Sequence, residues 1–93
     1  MRRLRVPEEV AILVRGLHPG LKRKVRAALE AILDDPAAGK ALKEELAGLR
    51  SFRVGGLRVV YRTAAREVIE VIAIGPRRTI YEETLRLVRG SAE

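Results

Sequence analysis

RSFRVGGLRVVYR, residues 50–62, reads as two β-strands joined by a glycine pair, and its charged positions are all arginine. Ser51–Val54 and Leu57–Thr63 are rich in β-branched and aromatic residues, and Gly55-Gly56 suits either a tight hairpin turn or a bulge. In the longer strand Arg58, Val60 and Arg62 share one face, and Leu57, Val59 and Tyr61 the other. Thr, Ser, Glu or Lys would wet such a face equally well. Arginine adds a planar fork that meets phosphate oxygens two at a time. The arginine face is therefore a candidate anion site, although a solvated outer face has the same pattern.

Downstream, TAARE (63–67) links to a third strand over Val68–Ile74, and GPRRTIY (75–81) follows it with two arginines and a tyrosine where the chain leaves the sheet. Ile80–Arg89 reads as a closing helix with Gly90 as its stop. Upstream, RRLRV (2–6) is a short first strand. Pro7 fits a first helical position with Glu8 and Glu9 behind it, where the helix dipole favours acids. Val10, Leu13, Val14 and Leu17 keep helical spacing until HPG (18–20). Leu21, Val25, Ala28, Leu29 and Ile32 repeat it until DDP (34–36), where proline disfavours helix in its predecessor. Leu42, Leu46 and Leu49 suggest a loosely helical connection ending near Gly48. The order β-α-α-β-β-β-α predicts an α+β fold with the helices packed on one face of an antiparallel-rich sheet, a helical hairpin on that face and a short C-terminal helix, as one domain over residues 1–93.

Composition narrows the function. Of 93 residues 47% are hydrophobic, enough for one core, but the aromatics are only Phe52, Tyr61 and Tyr81. There is no cysteine, hence no thiol catalysis, thiolate metal site or disulfide. The one histidine, His18, sits in a turn with no second ligand spaced around it, so no metal site and no cofactor are expected. The longest apolar run, Val10–Val14, is far short of the roughly 20 residues that span a bilayer, so a cytoplasmic protein without membrane contact is expected. The formal charge is +7, and 15 of the 19 cations are Arg. From Arg50 to Arg78 seven Arg are set against only Glu67 and Glu70, a patch suited to a polyanion such as RNA.

Together, LRSFRVGGLRVVYR (49–62), VIEVIAIGPRRTIY (68–81) and the element order resemble the RelE/ParE superfamily of type II toxins, over nearly the whole chain. RVGGLRVVY and IGPRRTIY are its sharpest marks. The resemblance implies a toxin held by a cognate antitoxin in a hetero-oligomer. In the RelE branch it implies an endoribonuclease that enters the ribosome, cuts mRNA without metal and inhibits translation; in the ParE branch, an inhibitor of DNA gyrase. The RelE reading is preferred, with a catalytically weak nucleic-acid-binding member or a ParE-like inhibitor as the alternative. Carried over residue by residue, Arg58, Arg77 and Tyr81 match motif positions, and Arg53 falls on a strand where RelE-type enzymes carry basic residues. These four are the expected catalytic set on one concave sheet surface, with Arg50, Arg62 and Arg78 as further RNA contacts. The proton acceptor is open, because arginine stays protonated and no Lys or His follows Arg50. The ribosome or substrate supplies it, or a carboxylate such as Glu44, Glu45 or Glu82 does, or cleavage is slow or absent.

Overall fold

Hydrogen bonding in the computed structural model, which describes residues 2–92, arranges the chain as β1 (Arg3–Arg5), α1 (Glu8–Arg15), α2 (Pro19–Asp34), β2 (Lys40–Ala41), β3 (Arg50–Val54), β4 (Leu57–Thr63), β5 (Val68–Pro76) and α3 (Ile80–Ala92). One five-stranded sheet runs in the order β1-β5-β4-β3-β2. β3, β4 and β5 form an antiparallel meander, while β1 joins β5 in parallel with Leu4 opposite Ile69. Gly55-Gly56 is the two-residue hairpin turn, with Gly55 at φ +58, a conformation glycine adopts without strain.

The helical hairpin follows from local chemistry. Glu8 and Glu9 open α1 and Arg15 closes it, each at the dipole end that favours its charge. Pro7 stands just outside this helix as its cap rather than as its first residue. His18 caps α2: its Nδ1 accepts the Gly20 N–H at 3.2 Å, with Pro19 at the first helical position. Val10, Val25, Ala28 and Ile32 of the hairpin bury themselves against Val54, Val59, Tyr61, Ile69, Val71 and Ile74.

Three expectations need correction. The connection after α2 is not loosely helical: two single 3-10 turns, Pro36–Ala38 and Glu44–Leu46, flank β2, which pairs with Arg50 and Ser51 of β3. Gly90 does not stop α3, which runs on to Ala92; glycine in a helix costs only about 1 kcal/mol relative to alanine, too little to end it alone. Finally, α3 does not join the hairpin on its face. Ile80 is buried with Leu49, Val60 and Ala73 on the opposite side of the sheet, so both faces are covered. Val60 thus belongs to a second small core, between the outward positions of Arg58 and Arg62.

A register slip makes this second core possible. Val60 faces Ala73 but Tyr61 faces Val71, which leaves Ile72 without an opposite residue. Past it the alternation of β5 reverses, so Val71 and Ile74 both join the hairpin core while Ile72 and Ala73 pack with Ile80.

Tyr61 ties the 3-10 turn to the sheet. Its hydroxyl donates to Pro36 O at 2.7 Å and accepts the Gly39 N–H at 2.9 Å. A Cβ at Gly39 would stand 2.6 Å from that oxygen, so the close approach requires glycine. Burial pushes the Tyr61 phenol above its ordinary value, against the lesser pull of the Gly39 N–H and of Arg50.

Candidate anion-binding site

Arg53 and Arg58 are direct cross-strand partners in the β3–β4 hairpin, next to its turn. Like charges placed opposite one another repel. Neither is a member of the ion pairs Arg5–Glu70, Arg62–Glu70 and Arg89–Glu45, and among the described residues no carboxylate lies in ion-pair contact with either of them. Arg53 is exposed, whereas Arg58 is half-buried. The Nε of Arg58 is buried and has no hydrogen-bond partner among the described residues. A buried donor on a charged fork without an acceptor is costly, and an anion would satisfy it.

The rest of that fork is held. Arg58 Nη1 donates to Ser51 Oγ at 3.3 Å, and Tyr81 Oη donates to the same oxygen at 3.3 Å. Ser51 is buried on β3, and Tyr81 sits in the first turn of α3. Gly75, opposite Arg58 on β5, lets that turn settle on the sheet: a Cβ there would lie 3.1 Å from Ile80 Cδ1. Arg77 and Arg78 lie exposed in the turn from β5 into α3, which the Arg77 N–H fastens to Gly56 O at 3.4 Å. Arg53, Arg58 and the arginines of this turn therefore crowd the hairpin end of the sheet.

Two expected RNA contacts are drawn elsewhere. Arg50 turns its Nη1 onto Gly39 O at 2.7 Å and Ala37 O at 3.3 Å, clasping the segment that Tyr61 also binds. Arg62 gives its Nε to Glu70 Oε1 at 2.7 Å, and Glu70 also meets Arg5. Both guanidinium groups have local partners, which those of Arg53, Arg77 and Arg78 lack among the described residues. Glu44, Glu45 and Glu82, the carboxylates named as proton acceptors, all line one shallow cleft of about 250 Å³ with Tyr81. Glu44 adopts φ +57 there, a left-handed backbone unusual outside glycine. Ser51 escaped sequence reasoning; a serine in a strand carries no signal until its neighbours are known. Glu83 escaped it too, its Oε2 lying 3.6 Å from where a Cβ of Gly75 would stand. Among the described residues no three His, Cys, Asp or Glu gather as a metal site would need, and no helix is long and apolar enough to cross a membrane.

The fold is that of the RelE toxins. The chain is similar to the toxin of the RelBE2 toxin–antitoxin complex of Mycobacterium tuberculosis, with 25% identity and a TM-score of 0.70 over 82% of this chain and 98% of that one. Isolated RelE of E. coli matches at 21% identity and a TM-score of 0.69, covering 95% of this chain and 99% of its own. The archaeal RelE of the RelE–RelB complex from Pyrococcus horikoshii matches at 22% and 0.68, covering 82% and 94%. No curated protein sequence matches the chain. Residues 15–81, which include Ser51, Arg53, Arg58, Arg77, Arg78 and Tyr81, match the family described as the ParE toxin of type II toxin–antitoxin systems. The chain belongs to that family, within the RelE/ParE superfamily, and is a type II toxin.

Proposed function

We propose that this toxin is a ribosome-dependent mRNA endoribonuclease that acts without a metal ion and inhibits translation in the cytoplasm. The observation that carries the reading is the uncompensated Arg53–Arg58 pair, with the buried Arg58 Nε left for an anion beside Tyr81. In such cleavage the 2′-oxygen of one nucleotide attacks the adjacent phosphorus and the bond to the 5′-oxygen breaks. The 2′-hydroxyl proton passes to a base, and the leaving oxygen takes a proton.

Arg58 and Arg53 would neutralise the phosphoryl oxygens as charge builds on them, a contribution of a few kcal/mol in a site shielded from water. Arg77 and Arg78, free in their turn, would grip the flanking backbone, and the Tyr81 ring would stack on a base of the single strand. Arg50 and Arg62 would then support the site rather than touch RNA. The proton acceptor is assigned to the cleft of Glu44, Glu45 and Glu82, or to the ribosome. The relatives from M. tuberculosis and P. horikoshii are complexes of toxin with antitoxin, and this chain would likewise be held by a cognate antitoxin in a hetero-oligomer.

The match to the ParE family favours a second reading, inhibition of DNA gyrase without cleavage. Primer extension on message from a cell-free translation reaction separates the two. Cuts only on ribosome-bound message, lost in Arg58→Ala, support the ribonuclease; intact message with arrested gyrase supercoiling supports the alternative.

A further inference from the structure

Ser51 is 2% exposed and stands opposite Val60, which belongs to the small core of Leu49, Val60, Ala73 and Ile80. Alanine or valine would fill that place in the core at no polar cost. A serine hydroxyl offers two acceptor positions, and both are used: one by Arg58 Nη1 from β4, the other by Tyr81 Oη from α3, each at 3.3 Å. One buried oxygen thereby joins three elements of the fold, and it joins the two side chains that the proposed chemistry needs beside the same phosphate.

We propose that Ser51 is a positioning residue, whose Oγ holds the Arg58 guanidinium and the Tyr81 phenol at a shared point so that Arg58 Nε–H faces a phosphoryl oxygen next to the tyrosine. The inference rests on the ribonuclease reading for its consequence in catalysis, but not for its geometry. An arginine side chain is long and loses much rotamer freedom when fixed; anchoring one Nη fixes it before the anion arrives. The Nε then has its direction set and no protein acceptor to turn to. Both contacts, at 3.3 Å, are longer than a typical hydrogen bond. Without the Ser51 oxygen, the fork and the phenol lose their common acceptor and move independently, while the core keeps its volume.

The test compares Ser51→Ala with Ser51→Thr, which keeps an Oγ. On ribosome-bound message, Ser51→Ala is expected to lower kcat about tenfold with KM unchanged, and Ser51→Thr to restore most of it. In parallel, the Arg58 Nε–H resonance is followed by NMR as inorganic phosphate is added. It is expected to shift in the wild type and in Ser51→Thr and to stay still in Ser51→Ala, with melting temperatures equal within about 3 °C. Equal loss in both variants, an unchanged kcat in Ser51→Ala, or the same phosphate shift in all three proteins overturns the assignment. If the wild type leaves message intact, the ribonuclease reading falls by itself, and the phosphate titration alone decides the role of Ser51.

Discussion

Arg53 and Arg58 stand opposite one another across the β3–β4 hairpin, and among the described residues no carboxylate is paired to either. Cross-strand like charges work against the hairpin, so the arrangement runs counter to stability at the place where an anion would reverse the balance. Replacing Arg53 with Thr, a good strand former, is expected to raise stability by about 0.5 kcal/mol in urea unfolding while reducing message cleavage. A variant that is both less stable and fully active would contradict this trade.

Arg58 carries more of the proposed chemistry than Arg53 because its Nε is buried and unpartnered. Arg58→Ala should lower cleavage about a hundredfold, and Arg58→Lys should recover little, since a lysine is a point charge without the fork. The check is single-turnover primer extension. Cleavage by the wild type should be unchanged when the purified toxin is stripped with EDTA and dialysed before it is added to ribosomes in magnesium buffer, because the proposed reaction draws no catalytic metal from the protein.

Arg77 and Tyr81 separate the two target readings. Arg77→Ala and Tyr81→Phe should each relieve growth arrest if the protein cuts message. A toxin that acts only on gyrase should not depend on both, and supercoiling measured in extracts of the arrested cells reports which pathway is active.

Tyr61 gives a stability prediction independent of function. Tyr61→Phe leaves the Gly39 N–H and the Pro36 carbonyl without their partner and should cost about 2 kcal/mol. Because burial raises the phenol above its ordinary 10.0, the folded state holds that proton longer than the unfolded chain does. The stability it contributes is therefore complete below about pH 10 and lost as the pH climbs through the raised value. Urea midpoints between pH 8 and 11 should fall at the alkaline end in the wild type and fall less in Tyr61→Phe.

Gly75→Ala probes how α3 is seated. Its Cβ would lie 3.1 Å from Ile80 Cδ1, and Ile80 is fully buried, so this side chain or the first turn of α3 that carries it must give by a few tenths of an ångström. A loss of about 1–3 kcal/mol is expected, together with reduced cleavage as Tyr81 moves away from Ser51. Unchanged cleavage in a destabilised protein would detach Tyr81 from the site.

Much of the molecule was legible in the chain. Strand β4 has the bounds that its alternation predicts, His18-Pro19-Gly20 caps and opens α2 just past the break that follows Arg15, and the glycine pair makes the hairpin turn. These are local matters: φ preferences, capping groups and side-chain period act within a few residues of sequence. The two motifs and the element order likewise pointed to a type II toxin.

Tertiary structure decided what each arginine is for. Arg50, Arg53, Arg58 and Arg62 are alike in sequence, yet Arg50 clasps the Gly39 segment, Arg62 pairs with Glu70, and Arg53 and Arg58 face one another unpaired. Tyr61 and Tyr81 divide in the same way, one into a structural tie and the other toward Ser51. The slip at Ile72, which turns Ala73 toward α3 and so covers the second face, has no local mark either. A side chain's function depends on which donors and acceptors stand within about 3 Å of it. For these residues the neighbours come from 7 to 30 positions away, or from the next strand, and only the closed sheet brings them together.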